Sequence, residues 1–300
     1  MKRILKKTAS FILILVYMAV ASEVIIRVIS SVALIYDIEM IRYAKELKIR
    51  SSLPGTFHQH KSNASAELMG VEISLNSLGH RNKELAKPKP AGEKRIQVLG
   101  SSIALGWGVP EDQTFSGVLE QRLNDQIAAQ SGERFVVINA GIGNYNTHNE
   151  VTLFEEQVGL TEPDAVVLQY YINDAEPNPR GVDNPFLMRS VAAAFLSIRI
   201  RSLFTVGGKT LGDYYTELYD EASPGWRQTR NSIRRLKELT DQRGIPLVVL
   251  LVPELHDLSE QGPYPPLYKI VTNYLDSLGI KSIDPTSNIR ASLLNNICLV

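Results

Sequence analysis

Three short clusters of polar residues each follow an apolar stretch in the middle of the chain. Gly100-Ser101-Ser102 offers a hydroxyl at a sharp turn, and the segment 139–144 offers glycine-rich backbone N–H groups. The segment 171–174 adds the carboxamide of Asn173. A hydroxyl nucleophile among neutral donors suits ester cleavage, because each donor stabilises the oxyanion of the tetrahedral intermediate by about 3 kcal/mol.

The elements that would position these clusters alternate between strand and helix. Apolar runs predict strands at 96–99, 135–138, 165–168, 247–252 and 281–283. Helical patterns occupy 115–127, 148–158, 226–242 and 267–278. Continuous apolar strands alternating with helices predict a parallel sheet covered on both faces. Ligands of such sheets bind beyond the carboxyl ends of the strands, where all three clusters would meet.

Composition narrows the classes of function. The chain has 32 basic and 32 acidic residues, so it lacks the basic excess that is typical of nucleic-acid binding. Cys298 is the single cysteine, which excludes an internal disulfide and a metal site built from cysteines. We therefore expect no nucleic-acid partner, no metal and no cofactor.

The three clusters, taken in order, resemble the motif blocks of the SGNH/GDSL hydrolases. The segment 98–109, with the sequence VLGSSIALGWGV, is similar to the first block, whose serine is the nucleophile. The segment 139–147 resembles the second block, which supplies a backbone oxyanion donor. The segment 172–174 resembles the third block, whose asparagine is another donor. The resemblance implies Ser102 as nucleophile and an oxyanion hole formed by Gly143 or Asn144 together with Asn173.

The same resemblance extends from residue 95 to the C-terminus and implies a fold. The family has a flavodoxin-like three-layer α/β/α sandwich, here with a parallel five-stranded sheet. Two positions depart from the family pattern. Ser101 stands where the family usually has aspartate, and Asn144 stands where the second block usually has glycine. Either Gly143 or Asn144 can supply the backbone N–H donor, since asparagine tolerates the left-handed conformation that glycine usually adopts.

The catalytic base is the gap in this pattern. A serine nucleophile needs a histidine to accept its proton and a carboxylate to orient that histidine. The family supplies both in a late Asp-x-x-His block, whereas residues 286–300 contain no histidine. The resemblance therefore predicts a C-terminally incomplete domain that is essentially inactive as given, with its base unknown. His256 follows the fourth strand on the correct edge, but a surface or structural role is favoured, so His256→Ala is predicted to change little.

The other histidines are assigned simpler roles. His148 is interpreted as a helix-start residue that borders the pocket. His58 and His60 have a spacing that occurs in metal sites, but no third ligand accompanies them, so a solvated loop is favoured.

The N-terminus predicts a membrane anchor over residues 1–30. Lys2, Arg3, Lys6 and Lys7 precede an uncharged apolar stretch, which places this end in the cytoplasm and the rest on the periplasmic or extracellular side. A cleaved signal peptide is the alternative, because 19–21 resembles a cleavage site. Apolar residues continue beyond that site, which favours an uncleaved single-pass anchor.

The rest of the chain divides into two parts. Residues 31–94 are predicted as a juxtamembrane helix and linker, with a short strand at 71–75, and residues 95–300 as the hydrolase-like domain. An insertion at 180–223 contains the apolar segment 191–204. That segment is interpreted as an amphipathic helix packed on the domain, with a lid or a membrane-facing helix as alternatives.

The functional hypothesis is an esterase or deacylase, with acetylated carbohydrate among the substrates that the resemblance allows. An O-acyltransferase of cell-surface polysaccharide would use the same serine. A non-catalytic binding protein that keeps the pocket is the third hypothesis, favoured by the absent histidine block.

Overall fold

The computed structural model describes residues 2–128, 131–177, 189–205 and 210–297. The strands are β1 (Lys48–Arg50), β2 (His58–His60), β3 (Ser65–Leu68), β4 (Val71–Ser74), β5 (Glu93–Leu99), β6 (Arg134–Asn139), β7 (Ala165–Tyr170), β8 (Leu247–Leu251) and β9 (Lys281–Ile283). The helices are α1 (Lys2–Val32), α2 (Tyr36–Glu46), α3 (Ser102–Leu105), α4 (Phe115–Leu123), α5 (Thr147–Thr161), α6 (Val191–Thr205), α7 (Leu211–Leu218), α8 (Pro224–Asp241), α9 (Tyr264–Ser277) and α10 (Thr286–Ile297).

Five of these strands form one parallel sheet in the order β6-β5-β7-β8-β9. Counted along the chain, this order is 2-1-3-4-5, the flavodoxin-like arrangement in which ligands bind where the strand order reverses. The fold class and the five strands predicted from the sequence are confirmed. Residues 286–297, for which the sequence predicts no element, form α10.

Helices cover both faces of the sheet. On one face, Leu119 and Leu123 of α4 pack against Val98 and Val137. On the other face, α5, α8 and α9 share a larger core with β7 and β8. Helix α8 shows why the sequence folds this way: its apolar residues recur every three positions and are buried, while its opposite side is charged.

Strand β5 begins at Glu93, inside the segment predicted as linker. The reason is a buried ion pair that an apolar pattern does not reveal. The Arg95 guanidinium is buried and donates to Glu93 at 2.7 Å, and also to the carbonyl oxygens of Thr161 and Ala86. These bonds satisfy charged groups that would otherwise be costly to bury.

Residues between α1 and the sheet form α2 and two small antiparallel hairpins, β1–β2 and β3–β4. The predicted strand at 71–75 is present as β4. Strands β1, β2 and β3 are not among the predicted ones; β1 and β2 have three residues each, which is too few to show alternation. Tyr43, Leu47, Leu68 and Ile73 pack with Leu105, which follows the candidate nucleophile. The proposed domain boundaries at 30 and 94 stay predictions, although this region packs on the sheet domain.

Arg81 fastens these hairpins to the turn after α3. Its buried guanidinium donates to the carbonyl oxygens of Leu105 and Gly106 through Nη1, and to those of Glu72 and Val109 through Nη2. One side chain thereby holds the loop that follows Ser102 against β4. No feature of the sequence pattern marks Arg81 for this role.

The outer edge of β6 is bonded by side chains in place of a neighbouring strand. The Asn124 amide accepts from the Phe135 N–H at 3.0 Å and donates to the Phe135 carbonyl at 2.9 Å. The Asn82 amide does the same for the Asn139 N–H and the Val137 carbonyl, and Glu120 accepts from the Val137 N–H at 2.7 Å. A cavity of about 650 Å³ runs along this edge, away from the three motif clusters.

Helix α1 is long and apolar enough over Lys6–Val32 to cross a membrane, and none of its most apolar window is buried within the protein. This agrees with the predicted N-terminal helix, and a signal sequence would show the same features. Two helices of the predicted insertion, α6 and α7, are described, while residues 178–188 and 206–209 lie outside the described part of the chain.

Candidate active site

Ser102 opens α3 directly beyond the carboxyl end of β5. The turn is tight, because a Cβ added to Gly100 would lie 2.6 Å from Cβ of Ala104 and 2.8 Å from Oε1 of Gln169. Only glycine fits there, and the tight turn brings Ser102 onto the sheet edge. The Ser102 side chain is half-buried. Neither its hydroxyl nor its backbone N–H has a hydrogen-bond partner among the described residues.

The loop after β6 lies directly against this turn. The Ile142 N–H donates to the Gly100 carbonyl at 3.0 Å. A Cβ added to Gly141 would approach the Leu105 nitrogen to 2.3 Å, so the backbone of the second loop touches α3. Asn144 follows with a φ of 66°, the left-handed conformation that asparagine tolerates. The structure thus brings the first two clusters together.

The two candidate backbone donors in this loop differ in their surroundings. The buried Gly143 N–H donates to the Tyr43 hydroxyl at 2.9 Å, so that donor is already used inside the protein. Asn144 is exposed, and its N–H has no partner in the part of the chain that the structure describes. Asn144 is therefore the better placed of the two to receive an oxyanion.

Asn173 lies in a single helical turn, Ile172–Ala175, beyond the carboxyl end of β7. This turn is held by Asp174, whose carboxylate accepts from the Tyr171 N–H at 2.9 Å. Oδ1 of Asn173 is buried without a partner, and Nδ2 makes no hydrogen bond with any described residue. Because β7 neighbours β5 in the sheet, the carboxamide lies at the same edge as Ser102.

Two carboxyl groups are buried behind this turn, a feature that sequence reasoning missed. Glu150 on α5 and Asp174 are both shielded from solvent, and both oxygens of Glu150 lack a hydrogen-bond partner among the described residues. Burial raises the pKa of each carboxyl well above its usual range, and repulsion by Asp174 adds to the shift of Glu150. The two carboxyls therefore hold their protons more strongly than exposed carboxyls do.

His256 lies on the loop after β8 and is bonded to a buried carboxylate. Its Nδ1 lies at hydrogen-bond distance from Oε1 of Glu254, and the Tyr171 hydroxyl donates to Oε2 of the same carboxylate. Glu254 is 2% exposed, whereas the His256 side chain is 81% exposed. Burial acts to raise the pKa of Glu254, but the hydrogen bonds from Tyr171 and His256 outweigh it and hold that pKa below its usual value.

Tyr43 and His60 link the N-terminal hairpins to the second loop. Nδ1 of His60 lies 2.8 Å from the Gly79 carbonyl, and because a carbonyl only accepts, Nδ1 carries the proton. Nε2 of His60 then accepts from the Tyr43 hydroxyl at 2.6 Å, and Tyr43 in turn accepts from the Gly143 N–H. This chain of bonds fixes the loop that carries Asn144.

Lys48 is a second unanticipated neighbour of this loop. Its Nζ donates to the Gly143 carbonyl at 2.6 Å and to Oδ1 of Asn144 at 3.1 Å, and it lies 4.1 Å from the centre of the Tyr43 ring. Burial lowers the pKa of the ammonium to about 7. No motif could have indicated Tyr43 or Lys48, since both come from the region interpreted as a juxtamembrane helix and linker.

The remaining histidines have structural contacts. Nε2 of His58 lies 3.1 Å from the Gly143 carbonyl, so His58 is part of a packed hairpin and not of a solvated loop. His148 lies in the first turn of α5, as predicted for a helix-start residue, with Nδ1 3.4 Å from the Ser232 hydroxyl. Among the described residues, no group of three His, Cys, Asp or Glu side chains is arranged to hold a metal ion.

Buried histidines make the fold sensitive to acid. Burial lowers the pKa of His60 to about 3 and that of His80 to about 4. In the unfolded chain both would titrate near 6.5, so below that pH the unfolded state binds protons that the folded state excludes. The free energy of unfolding should fall between about pH 6.5 and 4, by up to about 1.4 kcal/mol per pH unit and histidine.

Urea denaturation of the full chain at a series of pH values from 8 to 5 measures this slope. His60→Gln keeps a donor and an acceptor but cannot titrate, so it should reduce the slope even if it lowers stability at pH 8. A slope that His60→Gln leaves unchanged would contradict the assignment.

No family model and no curated protein sequence matches the chain. Similar solved structures include AlinE4, an SGNH-hydrolase family esterase, at 14% identity, covering 65% of this chain and 77% of that chain with a TM-score of 0.38. The psychrotrophic esterase EstA from Pseudoalteromonas sp. is 11% identical, with 64% and 76% covered and a TM-score of 0.38. A two-domain esterase (CEX) active on acetylated mannans is 14% identical, with 66% and 39% covered and a TM-score of 0.39.

The chain is thus similar in structure to SGNH-hydrolase family esterases, as the motifs predict. Likeness at these identities and TM-scores assigns neither activity nor site residues. Those assignments rest on the chain's own geometry.

Proposed function

We propose that the chain is a serine hydrolase of SGNH type that cleaves carboxylic esters with Ser102. One observation carries the proposal: Ser102 and three N–H donors lie at the carboxyl ends of adjacent strands, and these donors have no partner among the described residues. The donors are the backbone N–H groups of Ser102 and Asn144 and the carboxamide of Asn173. This is the arrangement that a tetrahedral oxyanion requires.

The reaction would begin with attack of the Ser102 hydroxyl on the ester carbonyl. The carbonyl oxygen becomes an oxyanion, and the three donors stabilise it by about 3 kcal/mol each. Collapse of the intermediate expels the alcohol and leaves an acyl group on Ser102. Water then releases the acid by the same steps.

His256, oriented by Glu254, is the base that the geometry supports. The strand that precedes its loop, β8, lies two positions from β5, which corresponds to about 10 Å between the strand axes. The Tyr171 hydroxyl donates to Glu254 and Tyr171 precedes the turn that carries Asn173. The carboxylate that orients His256 is therefore fixed to the same turn as one of the oxyanion donors. Nδ1 faces the carboxylate, which leaves Nε2 to accept the Ser102 proton. The pair would replace the family's Asp-x-x-His block.

The openness of the site favours a particular kind of ester. The His256 side chain lies almost entirely in solvent, and Ser102 is only half-buried. An open site can receive a small acyl group displayed on a larger molecule, so we propose acylated carbohydrate as the substrate class. Transfer of that acyl group to a second sugar hydroxyl would need the same serine.

Labelling with a fluorophosphonate probe tests the proposed function directly. The probe should modify the full-length protein at Ser102, identified by peptide mapping, and should abolish hydrolysis of p-nitrophenyl acetate. A protein that neither reacts with the probe nor hydrolyses the ester would support the non-catalytic alternative instead.

Loss of one oxyanion donor should slow the reaction without affecting the fold. Asn173→Ala should lower kcat for p-nitrophenyl acetate on the order of a hundredfold, because one charge-stabilising hydrogen bond is removed. The matched control is Asn231→Ala, which changes an exposed asparagine of α8. A change below threefold for Asn173→Ala would remove Asn173 from the site.

We further propose that α1 anchors the protein in the cytoplasmic membrane, with the sheet domain on the periplasmic or extracellular side. The support is the length and apolarity of α1 and the basic residues that precede its apolar run.

Carbonate extraction tests the anchor. The full-length protein should stay in the membrane pellet, whereas a variant without residues 1–30 should move to the supernatant with its secondary structure preserved. Release of the full-length protein into the carbonate supernatant would exclude a spanning helix.

A further inference from the structure

Glu23 is an acidic residue inside the apolar span of α1, and the structure shows how its carboxylate is satisfied. It accepts from the Ser190 hydroxyl at 2.7 Å and from the N–H groups of Val191 and Ala192 at 3.2 and 3.0 Å. It also accepts from Arg27 at 2.8 Å, one helical turn further along. Three of these four donors belong to the beginning of α6, so Glu23 caps that helix from another element.

A second contact fixes the direction of α6 relative to α1. Arg199 forms an ion pair of 2.8 Å with Asp37, which lies just beyond the end of α1. The start of α6 is therefore level with Glu23, and its third turn is level with the exit of α1. Helix α6 runs alongside the outer end of α1 and in the same direction.

Helix α6 is itself apolar over Val191–Ile200 and presents part of that surface outward. Leu196 is 59% exposed and Ile200 46% exposed. On the neighbouring outer end of α1, Val24, Val28 and Val32 are exposed as well. The two helices together form one apolar surface, which we call the α1–α6 surface.

The position of Glu23 along α1 places this surface at a definite depth. A hydrocarbon layer of about 30 Å takes about 20 helical residues, so a span that begins after Lys7 ends near Arg27. Glu23 would then lie about 6 Å inside the outer boundary. The first backbone N–H groups of α6 have no water to bond with at that depth, so they donate to the Glu23 carboxylate instead.

From these observations we propose that α6 is a second membrane-bound element, whose exposed face on the α1–α6 surface lies at the outer boundary of the hydrocarbon layer, where the acyl chains of the outer leaflet meet their headgroups. Leu196 is five residues into α6, about 7.5 Å further out than its start, which puts this side chain at that boundary. The inference rests on the proposed anchor, because α1 must lie in the bilayer for α6 to reach it. Lipid fits better than a protein partner because the surface continues that of a helix already surrounded by lipid. Arg27 and Arg199, both largely exposed, would lie at headgroup level and face anionic phosphates.

Depth-dependent fluorescence quenching tests the proposal on the full chain. Cys298 is the only cysteine, so Cys298→Ser provides a background for single labelled positions. Leu196→Cys would carry an NBD label in vesicles of phosphatidylethanolamine and phosphatidylglycerol, with or without lipids spin-labelled near the headgroup. Val20→Cys on α1 reports the anchor. Leu160→Cys, an apolar residue of α5 that is 44% exposed, is the matched control.

The label at Leu196 should lose at least as much fluorescence as the label at Val20, because it lies closer to the headgroups, and the label at Leu160 should not. Quenching at Val20 without quenching at Leu196 would overturn the proposal while leaving the anchor intact. Absence of quenching at Val20 would overturn the anchor, and the inference with it. Protection of Leu196 from both spin-labelled lipid and aqueous iodide would show that a protein covers this face, which also contradicts the proposal.

Further variants test the contacts of Glu23 and Asp37 that hold α6 against α1. Glu23→Ala removes the cap of α6 and should reduce quenching at Leu196 while quenching at Val20 is unchanged. If quenching at Leu196 is unaffected in both Glu23→Ala and Asp37→Asn, these two contacts do not hold α6 in the membrane.

Discussion

Ser102→Ala should lower kcat for p-nitrophenyl acetate on the order of 10⁴-fold or more, to a rate set by the oxyanion donors alone. The substitution removes the atom that forms the acyl bond, and no other hydroxyl occupies that position on α3. The Ser102 side chain has no hydrogen-bond partner among the described residues, so the midpoint of thermal unfolding should hardly change. Steady-state kinetics and a thermal melt of the same preparation measure both quantities.

The neighbouring serine provides the control for this experiment. Ser101 is buried, and its hydroxyl makes no hydrogen bond with a described residue, so Ser101→Ala should fold and keep most of the activity. The two variants differ by one position in the same turn. Equal turnover by Ser102→Ala and the parent protein would exclude Ser102 as nucleophile.

His256→Ala should cause the second large loss, on the order of 10³-fold or more, because Ser102 then has no group to accept its proton. Glu254→Gln should cost on the order of a hundredfold or more, since the histidine would lose the charge that orients it and stabilises its protonated form. His148→Ala, at the start of α5, is the control and should change kcat little.

Chemical rescue distinguishes a base from a merely structural residue. Added imidazole should restore part of the rate to His256→Ala but none to Ser102→Ala. Full activity in His256→Ala would return the residue to the surface role that the sequence alone favours.

The sheet and the three motif loops could be predicted because their determinants are local. The apolar runs 96–99, 135–138, 165–168 and 247–252 mark four of the five strands, and Ser102 and Asn173 follow shortly after two of these runs. The turn at Gly100 is also a local requirement. These features depend on residues within a few positions of one another, which sequence patterns report well.

The supporting residues could not be predicted because their roles depend on contacts over long sequence distances. Tyr43 bonds to a loop 100 residues away, and Tyr171 reaches Glu254 across 83 residues. The burial of Arg81 and Arg95 contradicts the usual exposure of arginine and depends on carbonyl oxygens that only the folded chain assembles. For His256 the sequence favours a surface or structural role, because the residue does not fit the family's Asp-x-x-His pattern, and that role stays a prediction beside the proposed one.

The side chains of Asn82, Glu120 and Asn124 along β6 block the pairing of a second strand with that edge of the sheet. An incoming strand would have to displace three side chains that already bond the backbone groups it needs. On the opposite side of the five-stranded sheet, no described residue hydrogen-bonds to the outer edge of β9, so this edge of the sheet is open to an added strand. Growth of a β-aggregate from this sheet needs two open edges, and its described residues leave one, so pairing through the five-stranded sheet should stop at a dimer joined through β9.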